Sequence, residues 1–447
     1  MLDLVVVGGR VVLPESGETE ATIGIADGRI ESVTTGATPA GREVLDVGGK
    51  VVFPGVIDPH THVTLGPPDG WFTETRAAAV AGITTVLDFQ LTSKSYVDGY
   101  RALRAEADRR AAIDFGFHFC PSVEGHLDEL DAWVRDLGVS SFKFYMNFRG
   151  DEGAYLGVAG ADDGYLYELC QRVARYEHAM LCVHTENIEI ANRLQTRLKV
   201  SGAEGLATWG ASRPPITEAE NVHRAAFFGR HTNCPIYVVH LSSAAALDEV
   251  RRARRDGARV YAETCPQYLM HTEDSPLGLL AKCNPPLRSR ADVDALWAGL
   301  ADGTFDTVGS DHVPRPRSFK SGTTWTASRG GPTLSMIVPT LLHEGVRRRG
   351  LSLRRVAELI CAAPARLFNL YPRKGTIREG SDADLTVVDL ALEREVRSGE
   401  LGSFADYSIW DGMRLTGWPV LTIARGQVVA RDGRFLGSPG QGRYLSR

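Results

Sequence analysis

Eight short apolar runs in the middle of the chain, with helix-like segments between several of them, constrain the fold more than any other feature. The runs span residues 51–57, 83–89, 115–121, 141–145, 180–184, 236–240, 260–263 and 306–309. Helix-like segments lie between consecutive runs, for example 98–110, 165–176, 244–256 and 291–300. Strands alternating with helices predict a parallel sheet, and eight of them predict a closed (β/α)8 barrel, the TIM-barrel architecture. A doubly wound open sheet is the structural alternative, but no GxGxxG follows any strand. The two ends differ from this middle and resemble each other. Residues 4–13, 21–26 and 30–33, and again 383–388, 420–424 and 427–430, are short β-prone runs separated by Gly, Asp and Glu turn signals. They predict a small β-sandwich domain built from both ends, residues 1–53 plus 379–447, around a barrel domain of residues 54–378.

Composition supports a large folded core and narrows the partners. The 447 residues are 43% apolar and 23% charged, with 50 basic against 55 acidic side chains and a net charge of −5. Like charges form only short runs such as Arg347-Arg348-Arg349, so nothing in the balance points to nucleic acid. No apolar stretch approaches the ~20 residues of a membrane span. The seven cysteines form no CxxC pair, and the N-terminal segment lacks a basic n-region and a cleavage site. The expectation is a reduced, cytoplasmic protein with free thiols.

The chemistry is concentrated at the C-terminal ends of the strand-like runs. The first is followed by Asp58-Pro59-His60-Thr61-His62, whose two histidines at i and i+2 point to one side of an extended segment. His184 ends the fifth run, His240 the sixth, and Asp311 follows the eighth. Lys143 lies inside the fourth, Ser141-Phe142-Lys143-Phe144-Tyr145. Barrel enzymes collect their catalytic groups at this face from several strands. Four His and one Asp converging there suit zinc and its neighbours. Each piece alone has a plainer explanation: HxH pairs occur as surface or core histidines, and an Asp also caps helices. A lysine in an apolar strand is harder to set aside, because a buried ammonium calls for a partner, a shifted pKa or a modification.

These residues and their surroundings resemble the dihydropyrimidinase/D-hydantoinase group of cyclic amidohydrolases. The matching stretches are Gly55-Val56-Ile57-Asp58-Pro59-His60-Thr61-His62, Ser141-Phe142-Lys143, Val183-His184-Thr185-Glu186-Asn187, Glu263-Thr264-Cys265-Pro266-Gln267-Tyr268-Leu269, Pro285-Pro286-Leu287-Arg288 and Gly309-Ser310-Asp311-His312. Gly380-Ser381-Asp382-Ala383-Asp384-Leu385 and Gly417-Trp418-Pro419-Val420 match near the end, so the resemblance covers essentially the whole chain. It implies a binuclear centre of two divalent ions, usually zinc, bridged by hydroxide and by an N6-carboxylated lysine. Position by position, His60, His62 and Asp311 would hold the more buried ion, His184 and His240 the second, and carboxylated Lys143 would bridge them. Asp311 would also carry the proton from the nucleophile to the leaving nitrogen. The implied substrates are small cyclic amides and ureides, and tetrameric relatives imply a homotetramer or homodimer.

Three positions depart from the group's pattern, all in substrate recognition. Phe148 stands where hydantoinases carry an oxyanion-stabilising tyrosine, Asn284 where a serine contacts the ring, and Arg329 where an asparagine fixes the substrate through its backbone. Allantoinases also lack that tyrosine, so allantoinase-like or other non-standard amide hydrolysis is the alternative. Dihydroorotases supply an arginine just after the HxH pair, where this chain has Val63-Thr64, which disfavours that activity. A non-catalytic scaffold homologue would have lost ligand positions, and all six are kept here. The altered pocket predicts weak activity on plain rings and better turnover of a ring with an extra polar or anionic substituent.

Overall fold

The structure, a computed structural model, describes residues 1–36, 39–155 and 160–447. Eight parallel strands form the central sheet: β1 Val56–Thr61, β2 Ile83–Gln90, β3 Asp114–Phe119, β4 Ser141–Tyr145, β5 Met180–His184, β6 Ile236–Val238, β7 Val260–Thr264 and β8 Thr307–Val308. They pair in sequential order, each with the next. The ring closes just beyond β8, where Asp311 N donates to His60 O at 2.9 Å and His62 N donates to His312 O at 3.0 Å. The expected (β/α)8 barrel is therefore present. Its interior is filled by Ile57, Leu87, Phe89, Met180, Tyr237 and Phe368, among others.

Outer helices form where apolar residues recur on one face. In Ala244–Arg255, Ser243 caps the first turn, Leu247 and Val250 face inward, and Arg252, Arg254 and Arg255 occupy the last turn. That arrangement satisfies an orphan amide and places cations at the negative end of the helix dipole. Full burial of each such Leu or Val contributes about 1.5–3 kcal/mol. Helix Arg290–Asp302 opens on a capping box between Ser289 and Asp292 and stops at Gly303, whose φ of 86° suits glycine.

The run expected at residues 51–57 is not one barrel strand. Val51–Pro54 pairs antiparallel with Leu385–Glu395 in a second sheet, and only Val56–Thr61 enters the barrel. The chain changes sheets at Gly55, where a Cβ would collide with Thr84 Oγ1. That second sheet has seven strands drawn from both chain ends, and a four-stranded sheet of residues 2–46 packs on it. Leu4, Val6, Ile23 and Ile25 from one sheet meet Val52, Leu385, Val387 and Ile423 from the other, which is a sandwich core.

A buried ion cluster ties the sandwich to the barrel. Lys374 Nζ lies 2.6 Å from Asp114 Oδ2 at the start of β3, and 2.5 and 3.1 Å from Asp384 and Asp382 beside the sandwich. Arg425 also pairs with Asp114. These three carboxylates are close enough together to hold a cation, and the lysine ammonium is that cation. All seven cysteines are free and buried. No helix among the described residues is long and apolar enough to cross a membrane.

Candidate metal centre

Strand direction brings the expected ligands to one end of the barrel. His60 ends its side chain beside Asp311, Nε2 to Oδ1 3.2 Å, and His62 Nε2 reaches the same oxygen at 3.4 Å. The i, i+2 spacing thus does place both imidazoles on one side. His184 and His240 form a second pair, Nδ1 to Nε2 2.8 Å, and the His240 ring centre lies 5.4 Å from that of His60. His240 and Asp311 lie beyond the ends of β6 and β8 and adopt φ of 41° and 53°. Non-glycine residues in the left-handed region are strained, and such strain persists where the surroundings over-determine a functional position. Gly309 leaves the room required, since a Cβ there would sit 2.5 Å from Glu263 Oε2 and 3.0 Å from His60 Cβ.

Lys143 is fully buried, and its Nζ has no hydrogen-bond partner; the Phe89 and Tyr145 ring centres lie 4.7 and 5.0 Å away. Burial lowers its pKa, only partly offset by the Asp311 charge. Burial also pushes His62 down to about 4 and lowers His184 and His240, which keeps these imidazoles neutral with lone pairs available. For His60, burial is outweighed by the Glu263 and Asp311 carboxylates, and its pKa rises. Two glutamates outside the expected ligand set orient the rings. His60 Nδ1 lies 2.7 Å from Glu263 Oε1, and His184 Nε2 lies 2.8 Å from Glu186 Oε2. Each carboxylate accepts a hydrogen bond from one ring nitrogen and turns the other nitrogen toward the cluster, as carboxylate–histidine–metal arrangements require. Burial would raise Glu186, but Arg213 and His184 hold it down at about 2. His60 Nε2, the neutral imidazoles and Asp311, all facing one cluster, together fit a divalent cation by donor type.

The comparisons with known proteins agree with this geometry. Residues 216–429 match the amidohydrolase family model. An L-hydantoinase of Paenarthrobacter aurescens is 35% identical over 460 residues, covering 100% of this chain and 98% of that protein. The chain belongs to the amidohydrolase family, in its hydantoinase-like branch. A D-hydantoinase of Geobacillus stearothermophilus is 35% identical over 447 residues, 96% of this chain and 93% of that one. Among solved structures, the L-hydantoinase (dihydropyrimidinase) from Arthrobacter aurescens superposes with a TM-score of 0.94 at 34% identity, covering 100% of both chains. The dihydropyrimidinase from Brevibacillus agri gives 0.92 at 32%, covering 100% of this chain and 99% of that one.

In this amidohydrolase the cluster opens into a pocket enclosing about 940 Å³, open solvent included. The three positions that depart from the group's recognition pattern, Phe148, Asn284 and Arg329, all line it. Phe148 stacks on Tyr145 with ring centres 4.0 Å apart and planes 7° apart, so it offers a ring face and no hydroxyl. The Tyr145 hydroxyl interacts with the Cys120 thiol. Asn284 Oδ1 and Asn147 Oδ1 are buried and unpartnered, as groups awaiting a ring amide would be. Arg315 and Glu152 also line the pocket and carry no spacing signal in the sequence. Two other histidines near the site are accounted for structurally. His118 is held by Ser141 Oγ and Pro59 O, and His312 by Glu74 and Thr333 N.

Proposed function

We propose that this amidohydrolase opens a cyclic amide or ureide of the dihydropyrimidine or 5-substituted hydantoin type. The observation that carries the reading is Lys143: a fully buried amine without a hydrogen-bond partner, amid four imidazoles and Asp311. Its lowered pKa favours the neutral amine, which adds to CO2 with release of one proton and becomes a carbamate anion. In this assignment His60, His62 and Asp311 would hold one divalent ion and His184 and His240 the other, with carboxylated Lys143 as a ligand they would share and zinc as the ion the donor set suits best. Bound there, two such ions would supply a water of near-neutral pKa and a Lewis acid for the scissile carbonyl.

The chain's own groups do the rest. Asp311 accepts the proton of the attacking water and delivers it to the departing ring nitrogen. Asn147 and Asn284 offer amide groups to the ring, and Phe89 and Phe148 supply apolar walls. Because Phe148 lacks a hydroxyl, an allantoinase-like or other non-standard amide substrate is the second reading. The division into residues 1–53 plus 379–447 and residues 54–378, a cytoplasmic location, and assembly as a homotetramer or homodimer belong to the same proposal; limited proteolysis and light scattering check the first and last.

Metal content and turnover of dihydropyrimidines, 5-substituted hydantoins and allantoin by metal-reconstituted protein test the assignment. Lys143→Ala is expected to bind fewer than two ions per chain, with partial rescue by short carboxylic acids. Two tightly bound ions and unchanged turnover in that variant would remove Lys143 from the centre.

A further inference from the structure

One wall of the pocket carries charge that amide hydrolysis does not use. Arg329 Nη1 donates to Glu152 Oε2 at 2.6 Å. Glu152 Oε1 accepts from the fully buried Arg213, whose Nη1 reaches Glu186 Oε2 at 3.3 Å. Two carboxylates thus alternate with two guanidiniums. Three further basic side chains converge on the segment that presents Arg329. Lys282 Nζ donates to Ala327 O at 2.5 Å, Lys320 Nζ to Ser328 O at 3.1 Å and to Lys282 O at 2.7 Å, and Arg315 Nη1 to Ser328 Oγ at 2.6 Å. Lys282, Arg213 and Arg329 also lie 4.2, 4.7 and 5.5 Å from the centre of the buried Trp209 ring.

Arg329 and Arg315 thus line the pocket, with Arg213, Lys282 and Lys320 behind them, and Glu152 and Glu186 are buried carboxylates among the described residues of this wall. Burial first, and neighbouring cations after it, push Lys282 down to about 7, and burial does the same to Lys320. A planar guanidinium held by its own ion pair is suited to a carboxylate in particular.

We propose that Arg329 and Arg315 receive a carboxylate borne on the substituent of the cyclic amide, so that the preferred substrates are acidic rings such as carboxyalkyl hydantoins or dihydropyrimidines. Glu152 and the lysine-anchored segment 327–329 position Arg329 for it. The inference rests on the hydrolase reading above. Hydrolysis of such a ring consumes one water: its hydroxyl joins the carbonyl carbon, the C–N bond breaks, and the ring nitrogen takes the proton. From 5-carboxymethylhydantoin the product is N-carbamoyl-aspartate.

The test compares 5-carboxymethylhydantoin with its uncharged isostere, 5-carbamoylmethylhydantoin, on the metal-loaded full chain. Calorimetric binding of N-carbamoyl-aspartate and N-carbamoyl-asparagine supplies a readout independent of turnover. A charge-assisted pair predicts about 10–100-fold higher kcat/KM for the acid than for the amide, a ratio weakened by salt and brought near one by Arg329→Gln. Arg329→Lys, which keeps a cation beside Glu152, should retain part of the preference and guards against mere misfolding. Turnover of both rings without preference, or a preference that survives Arg329→Gln, overturns the proposal and leaves the hydrolase reading standing. Tight, Arg329-dependent binding of the N-carbamoyl acid with neither ring opened keeps the anion wall and overturns the hydrolase reading. Neither turnover nor binding overturns both.

Discussion

Glu263→Gln probes how one side chain holds the two halves of the centre together. Glu263 Oε1 accepts from His60 Nδ1 at 2.7 Å and from His240 N at 2.9 Å, and Oε2 accepts from the Tyr237 hydroxyl at 2.8 Å. It thereby fixes a ring of the His60–His62–Asp311 group and the backbone of a residue in the other pair. Glutamine can turn its carbonyl toward both histidines and present its NH2 to Tyr237, whose own hydrogen can swing to Thr307 Oγ1, 2.5 Å away. Every bond then survives, and only the charge is gone. The two bonds that reach the histidines, charge-assisted at about 1.5–3 kcal/mol each, become neutral ones of about 0.5–1.5 kcal/mol, so their combined loss at the centre is about 2–3 kcal/mol. At 1.4 kcal/mol per factor of ten, that is about 30–150-fold in metal affinity, close to the 10–100-fold seen when outer carboxylates of metal sites are changed. Chelator competition followed by a zinc-sensitive dye measures it, with circular dichroism verifying the fold. A folded variant whose affinity stays within twofold of wild type would refute the claim that this carboxylate orients the ligands.

Asp311→Asn is expected to reduce turnover by about 10²–10⁴-fold while most of the metal is retained, as metal analysis and steady-state kinetics on one preparation will show. Near wild-type turnover would mean another residue moves the proton. Phe148→Tyr should raise kcat on plain dihydrouracil or hydantoin, by up to about 10²–10³-fold if the missing phenol is the whole limitation. An unchanged rate would place oxyanion stabilisation elsewhere. Lys374→Met leaves Asp114, Asp382 and Asp384 buried around an apolar chain and should destabilise by about 3–5 kcal/mol, read as a lowered midpoint in urea. A midpoint equal to wild type would mean that Arg425, paired with Asp114, and Arg373, whose Nε lies 2.9 Å from Asp382 Oδ2, compensate fully.

The legible parts of this molecule are those set by local pattern. His60 and His62 share a side because their spacing matches the strand period, and His184, His240 and Asp311 stand out by their positions after apolar runs. Glu263 lies in a conspicuous Glu-Thr-Cys-Pro stretch, yet its partner is 203 residues away, and no spacing announces such a bond. Arg213 and Glu152 come from separate parts of the chain and meet only in three dimensions. The run 51–57 is apolar throughout, so nothing in it marks the change of sheet at Gly55. Strands Gly17–Glu20 and Gly41–Asp46 give no apolar signal because they are largely polar edge strands with little burial. β6 and β8 end before their ligands because a left-handed turn, not continued strand, aims His240 and Asp311.

The antiparallel pairing of Val51–Pro54 with Leu385–Glu395 has a consequence during synthesis. A ribosome must add about 330 residues between these strands, which at roughly 5–20 residues per second takes about 15–65 s. The four-stranded sheet is complete early, since all of it comes from residues 2–46, but the apolar face of Leu4, Val6, Ile23 and Ile25 has to await Leu385, Val387 and Ile423. For that interval the nascent chain carries a greasy sheet without its cover, a species prone to aggregation. The barrel, built from sequential neighbours, is free to close first, so the earliest strands to leave the ribosome are among the last to find their place.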